Sequence, residues 1–281
     1  MSKDQVLEVA REDFVLDDEP FAAGAMGDPA KVLPTALADL KREIHFLSTL
    51  RHPYVLELRG VCWGNSPHAV IMLMEMCAMT LEQRVVSGYR MDGINAVALP
   101  ETTKYRYALQ LALALQHLVD SQCIHRDLKP ANVMLSLDDQ IKLVDFGLAT
   151  CLGKEPREMT GETGSYRYMA PEVFSHQSAY SYPVDVYSFG MLMYYLFAGI
   201  KPFYEVGNGV ECARLALRGS RPVIQAVDTF EMRSVISSCW VHEPGYRPSI
   251  SKVVAELVGL LEVATVSEHH RRKSLYELVF G

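Results

Sequence analysis

Apolar residues recur along this chain with two periods, and the switch between them separates a front from a back. From Thr35 to Leu50 they fall at Leu37, Leu40, Ile44 and Leu47, in steps of three and four, which predicts one face of a helix. His52-Pro53 then breaks the pattern. Val55–Cys62 and Ala69–Met74 are short apolar runs on either side of Gly64-Asn65-Ser66-Pro67, and predict two strands joined by a turn. A helix of about 20 residues is expected from Pro100-Glu101, with Tyr105, Leu109, Ala112, Leu113 and Leu118 on its apolar face. Val133-Met134-Leu135 and Ile141-Lys142-Leu143-Val144 flank Asp138-Asp139-Gln140 and predict a hairpin. Helical spacing follows at Val186–Phe197, Glu211–Leu217, Phe230–Cys239 and Ser251–Leu261. A strand-rich front and a helix-rich back predict an α+β protein with segregated layers.

Composition narrows the classes. The 281 residues suffice for about two domains or lobes. With 49% hydrophobic and 22% charged residues, a disordered or collagenous chain is excluded. A net charge of −7 supplies no broad basic face, so no nucleic-acid partner is expected. The most apolar run, Tyr187 to Ile200, has 14 residues where a bilayer needs about 20, and reads as a buried helix rather than a membrane span. Met1 to Asp13 mixes both signs of charge and does not read as a targeting segment. None of the six cysteines forms a C-x-x-C pair or stands beside a histidine at zinc-ligand spacing. They are expected to be reduced thiols in a cytoplasmic setting.

Candidate chemistry is concentrated in the middle of the chain. His125-Arg126-Asp127-Leu128-Lys129-Pro130-Ala131-Asn132 is followed by Asp145-Phe146-Gly147 and then by Ala170-Pro171-Glu172. In this order and spacing the three motifs resemble the protein kinase superfamily. The resemblance runs over about 230 residues, from Thr35 to Leu261. It implies a bilobal fold, with an N-terminal extension at 1–13, an N-lobe at 14–76, a C-lobe at 77–265 and a tail at 266–281. ATP and Mg²⁺ are the implied cofactors, and proteins bearing serine or threonine the implied partners. Asp127 would orient the acceptor hydroxyl and take its proton, Lys129 would neutralise the transferred phosphate, and Asn132 and Asp145 would hold the metal.

Lys129 resembles the serine/threonine kinases. Gly164 to Glu172, Asp185 to Gly190 and Cys239-Trp240 resemble the tyrosine-kinase-like group, which acts mostly on Ser and Thr in intracellular signalling; Ser165 stands where that group often has Thr. The resemblance also implies structural roles. His125 and Phe146 would join a stack with Leu47. Asp185 would accept hydrogen bonds from the catalytic-loop backbone, and Glu172 would pair with Arg247. Arg126 would meet a phosphate in the activation segment, where Thr160, Thr163 and Ser165 carry hydroxyls. In Met74-Glu75-Met76-Cys77, the backbone of Glu75 and Cys77 would bond adenine and Met74 would narrow the pocket behind it. The basic run His269 to Lys273 reads as a solvated tail.

The pattern departs from the family near the front. Gly24 and Gly27 occupy two places of the glycine-rich loop, and Ala22 the third. Lys31 is the candidate for the phosphate-gripping lysine, with Glu43 as its helix partner. Lys31 stands only seven residues after Gly24, whereas two strands and a turn need about five residues per strand plus the turn. Two readings therefore stand side by side: an ATP-dependent serine/threonine kinase, and a pseudokinase or scaffold whose nucleotide grip is impaired by the shortened lobe.

Overall fold

The two apolar periods fold into a small sheet with one helix, set against a larger helical body. In the computed structural model, the described residues are 7–8, 34–63, 70–90, 99–152, 165–175 and 181–280. Strand β1 (Leu7–Glu8) runs parallel to β2 (Leu58–Trp63), and β2 pairs antiparallel with β3 (Val70–Met74). Residues assigned to an N-terminal extension thus add a strand to the front sheet, opposite Gly60 and Val61. Helix α1 (Pro34–Thr49) lies against β2, with Phe46, Leu47 and Leu50 buried.

Beyond β3 the chain crosses into a second sheet at Glu75-Met76. Strand β4 (Cys77–Thr80) opens it and leads into α2 (Leu81–Arg90). After α3 (Glu101–Asp120) and β5 (Cys123–Ile124), the expected hairpin appears as β6 (Val133–Ser136) and β7 (Ile141–Leu143), in the sheet order β4-β6-β7. Strand β8 (Thr150–Cys151) pairs with β5. Backbone bonds from Leu56 N–H to Leu143 O (3.0 Å) and from Leu143 N–H to Tyr54 O (2.9 Å) tie the segment after α1 to β7.

The back contains α4 (Pro171–Phe174), α5 (Pro183–Ala198), α6 (Gly209–Leu217), α7 (Phe230–Cys239) and α8 (Ile250–Phe280). Nearly every residue of α5 is buried, which is why its apolar positions run together instead of forming a stripe. It ends at Gly199, whose φ of 72° suits a residue without Cβ. Among the described residues no helix is long and apolar enough to cross a membrane.

Helix α8 corrects one expectation. The periodicity predicts an end at Leu261, but the helix continues to Phe280; His269 and His270 on it are exposed, as expected of a solvated run. Leu260, Leu261 and Ala264 pack on the core, and the Thr102 hydroxyl donates to Glu268 Oε2 at 2.6 Å. No proline interrupts 250–280, so the hydrogen-bond ladder continues past the last fully buried turn.

Two contacts carry much of the back's stability. Arg247 donates to Glu172 Oε1 at 2.5 Å and to Oε2 at 2.8 Å, and its other N–H groups reach the carbonyls of Pro183, Val241 and His242. The guanidinium also lies 5.0 Å from the Tyr187 ring centroid. Gly190 on α5 lets α7 approach so closely that an added Cβ would stand 2.8 Å from Cys239 Cβ. Arg247→Ala leaves a buried carboxylate unpaired and is expected to cost about 3–5 kcal/mol, read as a lower urea midpoint. Gly190→Ala forces α5 and α7 apart at about 1–3 kcal/mol, and an unchanged midpoint would contradict that packing argument.

Candidate active site

The loop from His125 to Asn132 leaves β5, turns through a 3₁₀ turn at Pro130–Asn132 and enters β6. Its shape depends on Asp185, in the first turn of α5. Asp185 Oδ2 accepts the His125 N–H at 2.7 Å, and Oδ1 accepts the Arg126 N–H at 2.9 Å. Burial pushes the Asp185 carboxyl up, while His125, Arg126 and the two N–H bonds pull it down. Between those bonds Arg126 adopts a φ of 69°, a conformation that disfavours a residue with a Cβ. The Arg126 Nε–H donates to Leu148 O at 2.6 Å, so this side chain binds the segment that follows Gly147.

Asp127 then faces Lys129 and Asn132. Its Oδ2 accepts Lys129 Nζ at 2.6 Å and Asn132 Nδ2 at 2.9 Å. Asn132 Nδ2 also donates to the Asp127 carbonyl at 2.9 Å, closing the loop on itself. Asp127 Oδ1 is buried and has no hydrogen-bond partner among the described residues, so one oxygen of a fixed carboxylate keeps an unused acceptor. The three residues expected to act together are within bonding distance of one another.

Asp145 is brought to this loop by the hairpin. The Val144 N–H donates to Asn132 O at 3.0 Å, and Asp145 follows with a φ of 65°. Phe146 is fully buried, with its ring 5.0 Å from His125 and 6.3 Å from Phe46. His125 Nε2 meets Val144 O at 3.0 Å. His125 and Phe146 therefore meet, but the α1 side chain stacked on Phe146 is Phe46, not the expected Leu47. Leu47, the residue expected there, is also fully buried. Arg42 was not anticipated: its Nη1 donates to Gly147 O at 2.8 Å and to Asp39 Oδ1 at 3.2 Å. The step of three from Asp39 to Arg42 was legible, but the contact with Gly147 spans the fold.

Glu43 faces Asp145 from α1. Burial, and then the charge of Asp145, raise its carboxyl to about 7. The Asn132 side-chain oxygen and Asp145 Oδ2 have no partner among the described residues. This donor set fits Mg²⁺, which takes one or two protein oxygens together with phosphate oxygens rather than a full protein cage. Gly24, Gly27, Lys31, Thr160 and Thr163 lie outside the described residues. Ser165 begins a 3₁₀ turn, Ser165–Arg167.

The crossover at Glu75 is held more firmly than its sequence suggests. Glu75 Oε1 accepts the Glu57 N–H at 2.8 Å and pairs with Lys142 Nζ at 2.8 Å, while the Glu75 N–H donates to Glu57 O at 3.0 Å. Cys77 enters β4 opposite Ser136. Met74 and Met76 are 41% and 60% exposed beside them.

Comparison with known proteins agrees with this geometry. The profile of the protein kinase domain matches residues 28–258. The chain belongs to the protein kinase family. Its kinase domain is 33% identical over 244 residues to serine/threonine-protein kinase VIK of Arabidopsis thaliana, covering 83% of this chain and 53% of the relative. Serine/threonine/tyrosine-protein kinase HT1 of the same plant is 31% identical over 217 residues, or 77% of this chain and 53% of the relative. Dual specificity protein kinase pyk3 of Dictyostelium discoideum is 31% identical over 216 residues, 77% of this chain but 15% of the relative. The chain thus spans about half the length of the first two. These relatives are named as serine/threonine, serine/threonine/tyrosine and dual specificity kinases.

Because two backbone N–H groups converge on Asp185, Asp185→Asn turns an amide N–H₂ toward one of them. The expected loss is about 1–3 kcal/mol of stability. Amide exchange at His125 and Arg126 should speed up more than exchange in α7; equal change everywhere would count against this anchor.

Proposed function

We propose that this kinase domain transfers the γ-phosphate of ATP to serine or threonine hydroxyls of proteins. The observation that carries the reading is Asp127: a buried carboxylate with Oδ2 clamped by Lys129 and Asn132 and Oδ1 unshared. The acceptor hydroxyl donates to Oδ1, which holds its oxygen toward the phosphate and takes the proton as the bond forms. Lys129 stays beside that carboxylate and offers positive charge where the transferred phosphate gathers negative charge. Asn132 and Asp145 would hold Mg²⁺, which when bound supplies charge neutralisation between neighbouring phosphates. Glu75 and Cys77 offer backbone groups to adenine, with Met74 behind. Glu43, Lys31, Gly24 and Gly27 complete the nucleotide grip on this reading, and phosphates on Thr160, Thr163 or Ser165 would regulate it through Arg126.

Serine/threonine preference rests on Lys129 and on the names of the relatives, two of which extend to tyrosine or dual specificity. A second reading, a scaffold with impaired nucleotide grip, is favoured by the seven residues from Gly24 to Lys31. Both are tested by γ-phosphate transfer from labelled ATP with Mg²⁺ to a basic protein, followed by identification of the phosphorylated amino acid. Asp127→Asn should lower turnover by roughly 10²–10⁴-fold while the protein stays folded. Equal rates in variant and parent would remove the base role, and no transfer by folded parent protein would support the scaffold.

A further inference from the structure

Cys123 and Cys151 stand directly opposite each other in the antiparallel β5–β8 pair. Their Sγ atoms are 3.6 Å apart and neither is in a disulfide. Directly opposed residues in such a pair have Cα atoms about 4.5–5.5 Å apart, within the roughly 4.4–6.8 Å that a disulfide spans. Closing the sulfurs to about 2.05 Å therefore needs side-chain rotation and no separation of the strands. A bond from the Leu152 N–H to Gln122 O, at 2.8 Å, holds the register beside the pair. Cys151 is half-buried and reachable by a small oxidant, whereas Cys123 is buried behind it.

We propose that this pair is an oxidation site at which a hydroperoxide forms an intramolecular disulfide. Cys151 Sγ attacks a peroxide oxygen of hydrogen peroxide, giving a sulfenic acid and one water. Cys123 Sγ then attacks that sulfur, the S–O bond breaks, and the hydroxide leaves with the Cys123 proton as a second water. The two thiols lose two electrons and two protons, and the peroxide is reduced to water. A small dithiol reverses the change. The other four cysteines lie on β2, β4, α6 and α7. Burial pushes the thiols of Cys77, Cys212 and Cys239 up, which reduces their thiolate.

The bond would join the strand that enters the catalytic loop to the strand that leaves Asp145-Phe146-Gly147. It closes a loop between residues 28 apart and so restricts the unfolded chain. The proposal does not rest on phosphoryl transfer, because its readouts are covalent and thermal. The full chain is treated with hydrogen peroxide, remaining thiols are alkylated, and peptides are mapped without reduction. The expected product is a Cys123–Cys151 cross-linked peptide that disappears with dithiothreitol. The melting midpoint should rise by roughly 5–10 °C on oxidation and return on reduction. Cys77→Ser should keep the cross-link and Cys151→Ser should abolish both effects. If Cys151→Ser does not fold, the parent and Cys77→Ser maps decide. Sulfinic acid at Cys151 without a cross-link, disulfides through Cys77 or between chains, or unmodified Cys123 and Cys151 would each overturn the proposal.

Discussion

The carboxylate of Asp185 is the contact on which the candidate active site depends. It lies in the first turn of the most buried helix and accepts two consecutive backbone N–H groups of the catalytic loop. Those bonds stabilise the left-handed conformation of Arg126, and that reversal directs Asp127 toward Lys129 and Asn132. A buried carboxylate is expensive unless satisfied, so neither the loop nor the helix start can move without exposing the other's unpaired group. The long apolar run in α5 therefore does more than fill the core. It supplies a rigid base from which a charged anchor can be held away from water.

The candidate site is linked to the front of the molecule through α1. Phe46 lies on Phe146, Arg42 bonds the Gly147 carbonyl, and Glu43 faces Asp145. Three residues within five positions thus contact the Asp145-Phe146-Gly147 turn by packing, by hydrogen bonding and by charge. Rotation of α1 would disturb all three together. Glu75 provides the second link, since its carboxylate joins the crossover between the sheets to Lys142 on β7.

How much of this was legible follows from how local each signal is. Helix α7 matches the predicted Phe230–Cys239 span, and the β6–β7 hairpin follows from turn residues between two short apolar runs. Asp127, Lys129 and Asn132 were legible because one loop of eight residues carries them, so spacing alone brings them close. Asp185 and the Glu172–Arg247 pair came through family resemblance, since their partners are 59–75 residues away. Phe46 and Arg42 were missed because a helical periodicity identifies a buried face but not which residue meets a distant turn. The extension of α8 was missed because the run 267–274 is polar throughout, and its anchor at Thr102 comes from a helix 166 residues away. The Leu7–Glu8 strand is too short for any period to reveal.

The His125–Asn132 loop is built by bonds of its own. Asp127 is positioned by Lys129, Asn132 and, through the backbone, by Asp185, all in the back of the molecule. None of these bonds involves the residues from Gly24 to Lys31. The arrangement of Asp127, Lys129 and Asn132 is therefore held by bonds within the back of the molecule. Burial, and then the charge of Asp145, raise the Glu43 carboxyl to about 7, and a cation beside the two carboxylates would relieve their repulsion. A lysine side chain or a metal ion is the kind of group that would balance that charge.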